Sequence, residues 1–214
     1  MLATLDRVSN RTAYLIASAA LAVSVAAALL TPQDQQLGAW VRLVVWHGML
    51  TGAAAMAILL MGGLAVASLV TERESLYEWA RALQVLMLPV WVLAVAIGAT
   101  AARLIWLSFD LGERRMVMSI GYTVVAAVAL IVSLAWEDRR LRAGGQMVTA
   151  LAMAVGLAWI VFGPSAGDVH PAGAILSSTD PAFKVAALTI LASLLTAVLA
   201  LAVPVRRWLA RPRA

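Results

Sequence analysis

With 214 residues, 63% of them hydrophobic and only 13% charged, the chain has too little polar surface to cover a water-soluble globule. Its net charge of +5 does not point to nucleic acid, because the arginines sit in short segments beside apolar runs, where they contact anionic lipid heads. The absence of cysteine excludes disulfides, thiolate metal sites and covalent attachment of a c-type haem.

Stretches free of Asp, Glu, Lys and Arg cover 12–33, 43–71, 82–102, 116–136, 143–167 and 185–205. A helix rises about 1.5 Å per residue and the hydrocarbon core is about 30 Å thick, so each stretch is long enough to cross. The runs lack the short apolar/polar alternation of barrel strands, and the expectation is an all-α membrane protein with six transmembrane helices in one domain, 1–214. The first run is too long for the apolar part of a secretory signal and reads as a retained span.

Placing the N-terminus in the cytoplasm puts 11 of the 16 basic residues on that side, including the closing Arg206-Arg-Trp-Leu-Ala-Arg-Pro-Arg213, and leaves Arg42, Arg103, Arg114, Arg115 and Lys184 outside. Six spans return the C-terminus to the same side, as expected of a multi-pass protein of the cytoplasmic (inner) membrane. Cytoplasmic loops then run from Thr71 to Arg81 and from Glu137 to Gln146, and read as solvated helix ends; opposite charges at helical spacing allow the first to extend a helix inward. Outer segments are 32–42, 103–115 and 163–184, the last rich in Gly, Pro, Ser and Asp. Trp40, Trp46, Trp106 and Trp159 fall at outer ends and Trp79, Trp136 and Trp208 at inner ends, as an interfacial aromatic belt requires. Trp91, beside Pro89 in the third span, instead calls for a kinked helix and a bulky neighbour. Gly62-Gly63 suggests close helix packing and Gly144-Gly145 a turn.

The two histidines, His47 and His170, both fall on the outer side although they lie far apart in sequence. Each alone is compatible with a simple interfacial hydrogen bond; together they suggest shared coordination, and a bis-imidazole haem suits a chain that has no thiolate. The segment Arg103-Leu-Ile-Trp-Leu-Ser-Phe-Asp-Leu-Gly-Glu-Arg-Arg115 offers Trp106 and Phe109 as an apolar shelf, and Arg103, Arg114 and Arg115 as partners for propionates. Nucleotide-binding and zinc-protease motifs are missing, and no charged residue falls in mid-span, which argues against an ATPase and against an ion-coupled transporter.

Val41-Arg-Leu-Val-Val-Trp-His47 resembles the Val-Arg-Ile-Met-Tyr-Val-His type of segment that opens the second span in the six-span haem-handling subunit of cytochrome c maturation, the haem exporter protein C family. His170-Pro171 resembles that family's second histidine, and Trp106, Phe109-Asp110 and the run to Met118-Ser119 occupy the place of its tryptophan-rich segment. The resemblance implies a non-enzymatic protein that binds haem b transiently on the outer face through His47 and His170. Trp46, Trp106, Phe109, Asp110, Arg103, Arg114 and Arg115 would lie around it. Its implied partners are a membrane-tethered haem chaperone, an ABC-type transporter ATPase and a second membrane subunit. Two alternatives are a haem-free structural subunit of a membrane complex and a b-type haem anchor for electron transfer.

Overall fold

The computed structural model describes residues 7–35, 37–106, 112–162 and 180–211. Within them the chain forms six helices: α1 (Asn10–Leu30), α2 (Val41–Thr71), α3 (Glu74–Trp106), α4 (Arg114–Ala135), α5 (Arg139–Phe162) and α6 (Pro181–Leu209). Each is long and apolar enough to cross a bilayer, and the protein is an all-α, six-span membrane protein.

Local chemistry sets several helix starts. Ser9 Oγ accepts from Thr12 N–H at 3.1 Å ahead of α1. Asp138 Oδ1 accepts from Leu141 N–H at 2.7 Å at the start of α5. Asp180 Oδ1 accepts from Ala182 N–H at 2.9 Å, with Pro181 in the first helical position of α6.

Alternate helix ends share a face of the bundle. Arg207 donates to Asn10 Oδ1 at 2.7 Å, Arg139 pairs with Glu74 at 3.2 Å and Arg206 with Glu78 at 2.6 Å, so the starts of α1, α3 and α5 and the end of α6 lie together. We call this the terminal face and its opposite the distal face. Helix α2 sits centrally and touches α1, α3, α5 and α6, whereas α4 packs on α5 and, less, on α3.

With no hydrophobic force between helices in lipid, close packing of small residues must supply much of the association. At Gly62 of α2 an added Cβ would overlap the Ala150 methyl of α5, as the glycine pair at 62–63 suggested. At Gly156 of α5 a Cβ would come within 2.6 Å of the Met118 terminal methyl of α4. Trp91 has its bulky neighbour: its ring meets Tyr122 edge-on at 4.8 Å, and its N–H points at Ser119 O at 3.5 Å. Pro89 lies inside the same continuous helix.

Several expectations need correction. The connection after α2 is only residues 72–73, with Glu72 in the left-handed region at φ 54°, and α3 begins at Glu74. The first loop thus does extend a helix beyond its charge-free run. It is not simply solvated, because Tyr77, Trp79 and Ala80 are buried. Likewise α5 starts at Arg139, which places Gly144-Gly145 inside a helix rather than in a turn; Gly145 faces Ala129 of α4, where an added Cβ would make ordinary contact at 3.6 Å. Arg103, Arg114, Arg115 and Lys184 belong to helices, not loops. Trp40, Trp136, Trp159 and Trp208 are exposed, as a belt requires, but Trp79 is only 2% exposed and lies beneath the Arg206 guanidinium, 5.2 Å from its ring centre.

Three arginines close the ends of other helices. Arg42 Nε donates to Thr31 O after α1 at 3.2 Å, Arg139 Nη2 to Ser68 O in the last turn of α2 at 2.9 Å, and Arg142 Nε to Trp136 O after α4. The last carbonyls of a helix have no partner within it and carry its negative dipole end, so a guanidinium answers both needs. Arg142, 8% exposed, also donates to Tyr77 Oη at 3.2 Å. We expect Arg142→Met to cost about 1–3 kcal/mol of stability, because the buried Tyr77 hydroxyl and the partly buried Trp136 carbonyl lose their donor. Arg142→Lys should recover only part of it, since one ammonium cannot reproduce the fork. Thermal unfolding in mild detergent would measure both, and a wild-type transition for Arg142→Met would refute this account of the α4 end.

Candidate functional site

His47 is the seventh residue of α2, about 9 Å along the helix from its distal start. The preceding connection is tied down by Leu37 N–H donating to Asp34 Oδ1 at 2.9 Å, by Gly38 at φ 56°, and by the Arg42 bond to Thr31 O. Thr51 Oγ1 donates to the His47 carbonyl at 3.0 Å. Neighbouring positions are apolar, with Val45, Leu50 and Ala53 of α2, Ala94 of α3 and Ile190 of α6 in one buried cluster.

The imidazole is half-buried and turned toward α3, where it occupies the space that a side chain at position 98 would take. A Cβ added to Gly98 would stand 2.7 Å from His47 Nε2 and 3.2 Å from Nδ1. Only glycine lets α3 pass the ring at this distance.

Trp46, next in sequence, faces a different neighbour. Its indole N–H donates to Ser24 Oγ of α1 at 3.3 Å. Arg103 is exposed on α3 and lines a recess with Ala99, Thr100 and Leu104. At 100° per residue those positions lie on the side of α3 away from Gly98, so Arg103 and His47 use opposite faces of one helix. Arg115 is half-buried in the first turn of α4. Trp106 ends α3 and Arg114 begins α4, but their side chains lie outside what is described, and Phe109, Asp110 and His170 lie outside the described residues altogether. Among the described residues no three or more His, Asp or Glu side chains gather in a way that could hold a metal ion.

A second polar region was not anticipated. Between α3 and α5, which run parallel from the terminal face, Glu74 pairs with Arg139, Tyr77 accepts from Arg142, and Gln84 Oε1 accepts from Gln146 Nε2 at 3.2 Å. Arg139 also lies 5.5 Å from the Tyr77 ring centre. Gln84 and Gln146 are 4% and 0% exposed, deep enough that the amides must answer one another. Delimiting spans by charge alone passes over both glutamines; the helical spacing of Arg139, Arg142 and Gln146, each three or four residues apart, was the signal available. No protein-family model and no curated protein sequence matches this chain.

Proposed function

We propose that this protein handles haem as cargo in cytochrome c assembly, taking it at the distal face with His47 and His170 as axial imidazoles and presenting it to a membrane-tethered chaperone. The observation that carries the proposal is His47 itself. An ionisable side chain inserted between two spans, at a position where the neighbouring helix keeps a glycine for it, is costly to a membrane protein and points to use. Its donor chemistry fits haem iron, since imidazole is available and thiolate is not. The edge that carries Nε2 faces α3, so in this proposal the ring leaves the Gly98 notch to reach the iron.

The terminal face is then the cytoplasmic side of the inner membrane, consistent with the arginines there, and haem is met outside. The chain would act without catalysis of its own, alongside an ABC-type ATPase and a second membrane subunit. The residues around the distal site would be Trp46, Trp106, Phe109, Asp110, Arg103, Arg114 and Arg115. Arg103, on the face of α3 away from Gly98, would then meet a propionate at the rim rather than stand beside the iron.

Absorption spectra of the purified protein with added haemin test this directly. The expected result is a six-coordinate low-spin spectrum for wild type, a five-coordinate or mixed spectrum for either His47→Ala or His170→Ala, and no specific spectrum for the double variant. A wild-type protein that gives no low-spin species would overturn the proposal. The seating of the ring against Gly98 favours the alternative, a structural subunit in which His47 only joins α2 to α3. In that case the histidine variants change stability and leave the haemin spectrum as it was.

A further inference from the structure

Away from His47, helices α4 and α5 border an open groove of about 790 Å³, with the Gly145–Ala129 contact in its floor. Val124, Val128 and Val132 line it from α4, and Leu141, Gly144 and Val148 from α5, with Asp138 and Arg140 at its terminal end. Gly144 contributes space directly, because a Cβ added there would meet nothing within 4 Å.

The extent of the recess matches one leaflet. Val124 to Val132 and Arg140 to Val148 are each nine residues, eight helical steps or about 12 Å, against about 15 Å for half the hydrocarbon core. The recess begins at the end of the spans and stops near the middle of α4, since Val124 stands halfway along Arg114–Ala135. A partner's spanning helix would need a face across the whole membrane. A lipid chain needs only this half.

The mouth carries one charge of each sign, and the cation is the one left to meet a lipid headgroup. Asp138 is engaged as the cap of α5 through Leu141 N–H. The Arg140 guanidinium is exposed, and among the described residues it has no hydrogen-bond or ion-pair partner. A guanidinium at the water-lipid boundary beside an apolar recess pairs well with a phosphate.

We propose that this recess is a binding site for an anionic phospholipid of the terminal-side leaflet, with one acyl chain between α4 and α5 and the headgroup phosphate on Arg140. This inference is independent of haem handling.

The test is native mass spectrometry of the full chain extracted in mild detergent from vesicles of equal phosphatidylglycerol and phosphatidylcholine with identical acyl chains. Wild type is expected to retain one lipid, with the anionic one favoured about fivefold, the preference that one basic residue near the surface supplies. Arg140→Gln should bring the ratio to about one at similar total retention. Gly144→Leu, which places its side chain in the recess, should lower retention of both lipids; Gly144→Ala, which adds one methyl where nothing stands, gives a fold-safe partial loss. Equal retention of the two lipids by wild type overturns the proposal, and so does wild-type retention by a Gly144→Leu protein of normal melting temperature. So does the loss of bound lipid on adding inorganic phosphate alone, which would mark a free-anion site.

Discussion

Gly62→Ala should lower the stability of the bundle by about 1–3 kcal/mol, and combining it with Ala150→Gly should restore most of the loss. A Cβ at position 62 would overlap the Ala150 methyl, which is fixed to the α5 backbone and cannot swing away as the free end of a long side chain can. The only relief is for α2 and α5 to move apart. Because α2 is the helix that touches α1, α3, α5 and α6, that movement disturbs every other contact it makes. The double variant exchanges which helix carries the methyl and keeps its total volume, so it isolates the pairwise overlap from general effects of alanine. Equilibrium unfolding in a mixed-micelle denaturant series would read both. A Gly62→Ala protein as stable as wild type would show that α2 and α5 do not pack as closely as this.

The second large effect concerns the His47 and Gly98 pair, and it separates the two functional accounts. Gly98→Ala alone should cost about 1–3 kcal/mol, because the imidazole must yield to a Cβ that would stand 2.7 Å from Nε2. In a His47→Ala background the same substitution should cost under about 0.5 kcal/mol, so the coupling between the two sites is most of the effect. If haem is taken by an imidazole that has left the notch, Gly98→Ala also raises the fraction of molecules with the ring displaced and should tighten haemin binding several-fold. Weaker binding, or binding that does not change while the coupling persists, would leave His47 as a packing residue.

Span number was legible from four residue types because charges are expelled from lipid, and the helices end close to where those charges begin. The boundaries on the terminal face were not. Glu74, Glu78, Arg139, Arg142 and Arg206 satisfy one another or a neighbouring helix end, so helices continue through a segment that charge alone assigns to loops. Trp79 illustrates the same point: its place at a span end suits a lipid belt, but an arginine from α6 covers it. At the candidate site, His47 was marked by its rarity and its depth. Its seat was not, because nothing local in the sequence ties residue 47 to a glycine on the next helix. Trp46 and His47, adjacent and read together, turn to α1 and α3 respectively, as neighbours 100° apart on a helix must.

The arginine that closes α2 also bears on the order in which the protein can be assembled. Arg139 lies 71 residues after the Ser68 carbonyl it serves, and on a different span. During synthesis α2, α3 and α4 therefore enter the membrane before the donor for the α2 end has been made, and Glu74 waits as long for its cation. Until α5 arrives, both groups depend on interfacial water, which holds the short 72–73 connection at the surface and keeps the terminal face unlocked. Insertion of the fifth span thus supplies the missing donor and cation, and the sixth, which brings Arg206 to Glu78 and Arg207 to Asn10, then closes the bundle.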